Sequence, residues 1–300
     1  MKKKLTCLLV SVVMAATLLV GCGSSNDSVS NSTQSGGTAK TAESELQKYV
    51  DQGYITVGTS NDAPISFIDQ ETGEFSGFDG MIIKEACNRL GIKEVRVETM
   101  DFSNLIVALN SGKIDMICDC MMIKPERVEQ CYFSDYLYQN SELLIVPESS
   151  DVKSKADLKG DEEIGCTTGT TFLQTAQNWQ NDGTIKEARA MGDQTELLLN
   201  VQTDKIAGCL TDAFVIEYMI AQNDSTVAGL KAAENYEPEG AAGAGYACRF
   251  EDKELMQKFN EIFADMREEG FINECLEAYG LSTDLHGISQ EEAEHGLNTK

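Results

Sequence analysis

The chain has 300 residues, with 24 Lys and Arg against 49 Asp and Glu, and therefore a net charge of −25 at pH 7. A chain this acidic is repelled by nucleic acid and by anionic lipid headgroups, so we expect small solutes or another protein as partners. Its two histidines, His286 and His295, lie near the C-terminus. The body of the chain therefore lacks a histidine for a catalytic triad or a hydrolytic zinc site.

The chain opens on a leader-like segment, MKKKLTCLLVSVVMAATLLVGC. Lys2 to Lys4 precede a mostly apolar run from Leu5 to Val20, which has signal-peptide length and is short for a membrane span of roughly 20 residues. The residues before Cys22 resemble the lipobox of bacterial lipoproteins, which implies cleavage before Cys22 and a lipid on its sulfur. An ordinary secretory signal with an incidental cysteine is the alternative. We predict a signal peptide over residues 1–21 and lipid anchoring at the outer face of the cytoplasmic membrane.

A small, polar segment follows the leader. Residues 23–42 cannot bury enough apolar surface to offset the entropy lost on ordering, and we predict a flexible linker over residues 22–42. The body from residue 43 has the length of two modest lobes. It contains no second run of about 18 apolar residues that could span a membrane.

The body begins with strands that alternate with helices. The β-rich run YITVGT at 54–59 precedes a helical pattern that ends at Gly91, and the strand VRVET follows. Such alternation predicts parallel βαβ units.

Two distant segments share one pattern: LIVALNSGKIDMICDC at 105–120 and LLLNVQTDKIAGCLTD at 197–212. In each, an apolar-faced helix leads through a polar bend into a buried strand that ends in polar residues. This likeness indicates two similarly wound α/β lobes. Because ligands of open α/β sheets bind at the carboxyl ends of the strands, we predict a cleft between the lobes.

Two segments are predicted to cross between the lobes. SELLIVPE at 141–148 leaves the first lobe, and AGYACRF at 244–250 returns to it, which is a hinge arrangement suited to closing around a ligand. Lobe 1 then comprises residues 43–142 and 248–283, and lobe 2 comprises residues 143–247. We predict that the polar tail, residues 284–300, is disordered and that its removal leaves binding intact.

The stretch CDCMMIKPER, at 118–127, has three possible interpretations: a metal clamp, a redox pair or one wall of a pocket. A structural zinc needs four ligands, but Cys118 and Cys120 have no second cluster and the chain has no CxxC pair. Most of the cysteines lie in apolar contexts, where a thiol behaves as a small hydrophobe. The pocket wall is therefore favoured, and we predict no metal site and no cofactor.

The chain resembles the solute-binding proteins of ABC importers, in the family that mostly binds polar amino acids. The resemblance covers about residues 50–281. It is carried by GEFSGFDGMIIKEACNRLG, LIVALNSGKIDMI, IKPERVEQCYFSDYLYQNSELLIV, LKGDEEIGCTTGTTF, LTDAF and REEGFINECLEAYG. It implies a two-lobed, type II periplasmic-binding-protein-like α/β fold, in which each lobe is a mostly parallel sheet flanked by helices and two hinge strands join the lobes.

The resemblance also implies ligand contacts. Arg127 in KPER matches the arginine that grips the ligand α-carboxylate, and Asp212 in LTD matches the acid that receives the α-ammonium. Thr170 and Thr171 match the loop that donates hydroxyl and backbone hydrogen bonds to the carboxylate, and Phe102 falls where an aromatic wall is common. Each also has a structural interpretation: a helix start for Arg127 and helix caps for Thr170 and Asp212.

Four residues depart from the family pattern. Met122 replaces a hydroxyl that donates to the carboxylate, and Ile65 replaces a phenylalanine of the first loop. Asp62 stands in place of an aromatic residue and Asp119 in place of a small one. An acid in the first loop resembles the branch that binds ectoine-like solutes, although that branch surrounds its ligand with aromatic residues. We therefore predict that Asp62 and Asp119 contact a cationic group.

Apolar packing surface in the cleft is assigned to Cys120 and Met122. The predicted function is capture of a polar amino acid or related zwitterion and its delivery to the membrane permease of an ABC importer, without catalysis. Two alternatives remain. One is an enzyme similar to cyclohexadienyl dehydratases, with Asp62 or Asp119 as general acid. The other is a sensory subunit that reports the solute to a partner.

Overall fold

The structure, a computed structural model, describes residues 37–298. The predicted signal peptide, the predicted lipidation residue Cys22 and most of the predicted linker lie outside these residues. Within 37–298, no helix has the length and apolar character needed to cross a membrane.

The described residues form thirteen strands. They are β1 Tyr54–Thr59, β2 Phe67–Ile68, β3 Phe75–Ser76, β4 Glu94–Thr99, β5 Met116–Met122, β6 Tyr132–Phe133, β7 Tyr138–Asn140, β8 Glu142–Pro147, β9 Glu163–Thr167, β10 Glu187–Met191, β11 Gly208–Asp212, β12 Leu230–Ala232 and β13 Ala242–Cys248.

Eleven α-helices lie between and after these strands in the same described range. They are α1 Gly37–Gln52, α2 Phe78–Arg89, α3 Leu105–Asn110, α4 Pro125–Val128, α5 Thr171–Asn181, α6 Gln194–Gln202, α7 Ala213–Ala221, α8 Lys253–Glu268, α9 Phe271–Glu277, α10 Thr283–His286 and α11 Gln290–Ala293.

The first helix revises the predicted linker. α1 begins at Gly37, so residues 37–42 are helical although they were assigned to the flexible segment. Its second half is anchored to the body, because Tyr49 is fully buried and Leu46 and Val50 pack against the core of the first lobe. The alanines and lysine of residues 39–42 are good helix formers, which allows the helix to extend from that anchor towards the N-terminus.

The first lobe is built on a sheet in the order β4-β1-β5-β13-β6, with β7 also pairing with β13. β1 runs parallel to β4 and β5, whereas β13 is antiparallel to β5 and β6. The apolar face of α2 is buried against this sheet through Ile82, Ile83 and Ala86, and α8 buries Phe259 and Phe263. Burial of these faces is the main term that stabilises the lobe.

The second lobe repeats this plan with the strand order β10-β9-β11-β8-β12. β9, β10 and β11 are parallel, and β8 and β12 are antiparallel to their neighbours. The two segments with matching sequence patterns occupy equivalent places. Each contains a helix, α3 or α6, and a strand, β5 or β11, that pairs with one parallel and one antiparallel neighbour. The predicted α/β fold is confirmed, with mixed rather than mostly parallel sheets.

Two crossings join the lobes. The chain leaves at Asn140–Glu142, between β7 and β8, and returns before Ala242, because the whole of β13 belongs to the first sheet. The sequence placed this boundary after residue 247, since the alternating apolar pattern of a crossing strand does not show which sheet it joins. The buried Glu142 carboxylate links both crossings, because it accepts hydrogen bonds from Glu239 N at 2.7 Å and Gly240 N at 3.0 Å.

The C-terminal tail is ordered over residues 284–298, which corrects the prediction of disorder for that part of it. His286 is 3% exposed, its ring packs at a tilt against Phe214 of the second lobe with ring centroids 4.1 Å apart, and its Nε2 lies 3.2 Å from Glu217 Oε2. Further along, Ala293 O accepts from Tyr136 N at 2.8 Å, and Asn298 donates to Phe133 O at 2.8 Å. The polar composition of the tail did not predict these contacts, because they depend on only a few apolar and hydrogen-bonding residues.

Truncation after Leu281 is therefore expected to destabilise the protein. The loss of the buried His286 and Ala293 side chains and their hydrogen bonds is expected to cost about 2 kcal/mol or more, and to lower the melting temperature by roughly 4–8 °C. Thermal unfolding followed by circular dichroism measures this shift. A chain that lacks only residues 299 and 300 is the control. Equal melting temperatures for the long truncation and the full chain would contradict this account of the tail.

Candidate ligand-binding site

A cavity of about 560 Å³, including the space at its open mouth, lies between the two lobes at the carboxyl ends of β1, β5, β9 and β11. All nine residues predicted from the sequence to contact a ligand line it: Asp62, Phe102, Asp119, Cys120, Met122, Arg127, Thr170, Thr171 and Asp212. Seven further residues line it that were not among the predicted contacts: Ser60, Ile65, Thr167, Phe172, Gln194, Thr211 and Val215. The structure therefore brings the predicted residues together, and their ligand contacts stay a prediction.

Arg127 carries a buried guanidinium without a neutralising acid. Pro125 occupies the first turn of α4, where its missing N–H costs nothing, and this short helix points Arg127 into the cavity. Its Nη1 donates to Met122 O at 2.8 Å and its Nη2 to Gly169 O at 3.0 Å. Among residues 37–298, no carboxylate oxygen lies within the 4.0 Å ion-pair distance of this side chain. Burial lowers the pKa of Arg127, and a ligand carboxylate would compensate its charge.

The contacts of Arg127 span both lobes. Met122 ends a strand of the first sheet, whereas Gly169 belongs to the loop between β9 and α5 of the second lobe. The Phe102 ring centroid lies 5.4 Å from the guanidinium carbon, which places an aromatic face beside the charge. The described arrangement is therefore one in which the lobes approach each other around Arg127.

Asp212 lies on the second lobe's side of the cavity, at the end of β11. Its Oδ1 accepts from Phe214 N at 3.0 Å and thereby caps α7, and its Oδ2 accepts from Asn140 Nδ2 at 2.6 Å. Burial raises the pKa of Asp212 to about 7. The interpretation of Asp212 as a helix cap is thus correct for its Oδ1. The side chain still lines the cavity, and in the described part of the chain it has no cationic partner.

Asn140 is a further polar residue that sequence analysis missed. It stands at the crossing between the lobes, where its amide donates to Cys120 Sγ at 3.3 Å and to Asp212 Oδ2. Its own Oδ1 accepts from Ser141 N at 2.8 Å. Asn140 therefore joins a cavity residue of one lobe, Cys120, to one of the other, Asp212. In the sequence, its place next to a predicted hinge strand was the one feature that could have pointed to it.

Asp62 and Asp119 form an acidic pair that shares one hydroxyl. Ser60 Oγ lies 2.7 Å from Asp119 Oδ2 and 2.8 Å from Asp62 Oδ2. A serine hydroxyl has one proton to donate, so only one of these contacts is satisfied unless a carboxyl is itself protonated. Burial and then the charge of Asp62 raise the pKa of Asp119 to about 7. The pKa of Asp62 is raised to about 6, and burial is again the main cause.

The hydroxyl groups of the two threonines at the start of α5 already make contacts within the protein. Thr170 Oγ1 donates to Thr167 O at 2.7 Å and accepts from Leu173 N at 3.3 Å, so it is the N-cap of the helix. In this arrangement its hydroxyl proton is directed at Thr167 O, and donation by Thr170 to a ligand stays a prediction. The Thr171 hydroxyl faces Met122 Sδ at 3.2 Å. A thioether is a weak acceptor, and this hydroxyl can turn to a better one.

The cysteines of CDCMMIKPER are separated in their roles. Cys118 Sγ lies 3.6 Å from Asp79 O and does not line the cavity, whereas Cys120 lines it with a positive φ of 44°. All eight cysteines in the described range are free and buried. In that range, no group of three or more histidine, cysteine or acidic residues is placed to hold a metal.

Comparison with known proteins gives a consistent match. The model of the bacterial extracellular solute-binding proteins, family 3, matches residues 55–282. A probable histidine-binding protein of Campylobacter jejuni is 28% identical over 76% of this chain and 85% of its own length. An arginine-binding extracellular protein of Bacillus subtilis is 28% identical over 90% of this chain and 94% of its own length.

Solved structures show the same relationship. An ancestral arginine-binding protein bound to arginine superposes with a TM-score of 0.68 at 28% identity, over 76% of this chain and 98% of that chain. An ancestral arginine-binding protein bound to glutamine gives a TM-score of 0.68 at 28% identity, over 77% of this chain and 99% of that chain.

Proposed function

Because the chain belongs to the bacterial extracellular solute-binding proteins, family 3, we propose that it is the extracytoplasmic receptor of an ABC importer. It captures a polar amino acid or related zwitterion between its lobes and delivers it to the permease. One observation carries this proposal. Within the described residues, a buried guanidinium without an acid and a carboxyl without a cation line the same cavity from opposite lobes.

These two groups match the two ends of an α-amino acid. The planar Arg127 guanidinium pairs with a carboxylate through two parallel hydrogen bonds, and ionised Asp212 attracts an ammonium. Since Arg127 belongs to the first lobe and Asp212 to the second, a ligand held by both favours the closed arrangement. The comparison proteins named above carry names or titles that mention histidine, arginine or glutamine, which are ligands of this class.

The acidic pair extends the proposal to the ligand's side group. With Arg127 and Asp212 assigned to the α-carboxylate and α-ammonium, Asp62 and Asp119 remain near the same cavity. A cationic, amidine or amide group offers hydrogen-bond donors to both, whereas a third carboxylate is repelled. The favoured ligand therefore carries a donor-rich side group, and a cyclic amidine solute is the main rival to an amino acid.

A thermal-shift screen of amino acids, polyamines and compatible solutes tests the proposal. A ligand at 100 times its Kd stabilises the folded state by about 2.7 kcal/mol, which raises the melting temperature by several degrees. We expect the largest shift from a zwitterion with a donor-bearing side group. The proposal fails if no zwitterion shifts the transition, and its side-group part fails if glutamate or aspartate gives the largest shift.

Binding is expected to weaken at acid pH. The pKa values of Asp212 and Asp119 are raised to about 7 and that of Asp62 to about 6, and a cationic group binds only the ionised carboxyls. Affinity is therefore full above about pH 8 and falls as the pH drops through these values. One obligatory carboxylate with a pKa of about 7 lowers affinity about tenfold or more between pH 8 and pH 5.5.

Calorimetry at the two pH values measures this change. Asp119→Asn is the matched variant, because it removes one titrating group and is expected to give a shallower pH profile. Equal affinities at pH 8 and pH 5.5 would show that no cationic group of the ligand contacts these carboxyls.

Lipid anchoring through Cys22 is part of the same proposal, and it rests on the lipobox-like residues before Cys22. Fractionation of cells that produce the Cys22→Ala chain tests it. Release of that chain from the membrane supports the anchor, and retention at the membrane contradicts it.

A further inference from the structure

A buried hydrogen-bond donor in the cavity wall has no partner. Gln194 is the first residue of α6, its side chain is 7% exposed, and it lines the cavity. Its Oε1 accepts from Thr211 Oγ1 at 2.7 Å. Among the residues that the structure describes, nothing accepts a hydrogen bond from its buried Nε2.

The other buried polar atoms that lack a hydrogen bond in the described range differ from this one. Asp252 Oδ2 lies 2.7 Å from Arg249 Nη2 in an ion pair. Arg267 Nε belongs to a guanidinium that donates to Gln290 Oε1 at 2.7 Å. Neither residue lines the cavity. A buried donor without an acceptor costs about 1–3 kcal/mol, so Gln194 Nε2 points to an acceptor that enters the cavity.

The neighbours of Gln194 indicate which part of a ligand it meets. Its carbonyl is held by Thr211, the residue before Asp212. Asp193, the residue before Gln194, is close enough to Asp62 to contribute to its raised pKa, of which burial is the larger cause. Gln194 therefore lines the same cavity as the acidic pair and is hydrogen-bonded to the residue next to the proposed ammonium contact.

We infer that Gln194 Nε2 donates a hydrogen bond to the side group of the ligand, so that the site takes a zwitterion whose side group carries both a donor and an acceptor. This inference rests on the proposed function and narrows it. A donor on the side group faces Asp62 and Asp119, and an acceptor faces Gln194. An ammonium or guanidinium has donors only, which leaves Gln194 unpaired. A carboxamide or a neutral imidazole has a donor for the acidic pair and an acceptor for Gln194.

Titration calorimetry at pH 8, where a free imidazole is neutral, tests the inference with L-glutamine, L-histidine, L-lysine and L-arginine. The wild-type chain is expected to bind L-glutamine or L-histidine more tightly than L-lysine and L-arginine. Gln194→Met keeps the length of the side chain and removes its donor. It is expected to weaken that preferred ligand about fivefold to tenfold and to leave L-lysine within about twofold.

Gln194→Glu is the second variant, because it replaces the donor by an acceptor of the same shape. It is expected to weaken L-glutamine and to strengthen L-lysine, a reversal that loss of folding cannot produce. If both variants change all four affinities equally or not at all, Gln194 meets only water or neighbouring side chains, and the inference is wrong.

The same titration separates this inference from the proposed function. Binding of L-lysine or L-arginine in preference to L-glutamine and L-histidine overturns the inference and leaves the receptor function standing. Absence of heat with all four amino acids overturns the inference. The receptor function fails with it only if no zwitterion shifts the melting temperature in the broader screen.

Discussion

Arg127→Met is expected to abolish binding of any ligand that carries an α-carboxylate, while the fold survives. The substitution removes both N–H arms that could pair with a carboxylate and leaves the ligand's charge desolvated in the cavity. Loss of one partner from such a buried pair costs about 2–5 kcal/mol, which is a 30-fold or greater loss of affinity. Calorimetry with the ligand that gives the largest thermal shift measures it.

A matched control exists on the surface of the same lobe. Arg96 pairs with Glu94 at 3.0 Å, both side chains are about half exposed, and neither lines the cavity. Such an exposed pair contributes little, so Arg96→Met is expected to leave affinity within about twofold. Arg127→Met binding within threefold of the wild type would show that Arg127 only joins the lobes through Met122 O and Gly169 O.

Asp212→Asn is expected to have the second-largest effect. The substitution keeps the shape and an oxygen that can cap α7 through Phe214 N, but it removes the negative charge that faces an α-ammonium. We expect a loss of affinity of about 30-fold at pH 8, where the wild-type carboxyl is mostly ionised. At pH 5.5 the two proteins are expected to differ less, because burial raises the pKa of Asp212 to about 7 and the wild type is then largely neutral.

Asp224 provides the control for the capping role. It also accepts a backbone hydrogen bond, from Thr226 N at 2.8 Å, and it does not line the cavity. Asp224→Asn is expected to leave affinity unchanged. If Asp212→Asn behaves like Asp224→Asn, then Asp212 is a helix cap and does not contact the ligand.

The architecture was predictable because it depends on repeating burial patterns. The helix-to-strand pattern at 105–120 and 197–212 reports which face of each segment is buried, and both strands occupy equivalent positions in their sheets. Which strands pair with each other was harder to predict from the sequence. A crossing strand such as β13 is apolar in either lobe, and its sheet is decided by pairing with β5, about 120 residues earlier in the chain.

The lining of the cavity was predictable where a residue type stands in a family motif, as Arg127 does in KPER and Asp212 in LTD. It was not predictable where the role depends on a tertiary neighbour. Ser60 matters because it lies between two carboxyls, and Gln194 because Thr211 takes its carbonyl and leaves its amide nitrogen unpaired. Neither residue differs in sequence from an ordinary surface serine or glutamine.

The order of the C-terminal tail was also not predictable, because it too depends on tertiary neighbours. Its composition is that of a disordered segment, but a single buried histidine against Phe214 and a few hydrogen bonds to the edge of the first lobe order it. Composition averages over such positions and therefore misses them.

The most direct measurement is a crystal structure of the protein with the ligand that gives the largest thermal shift. The proposed function predicts density for that ligand in the cavity between the lobes, with its α-carboxylate on Arg127 and its α-ammonium on Asp212. A ligand bound outside this cavity, or one in the cavity that contacts neither Arg127 nor Asp212, would contradict it.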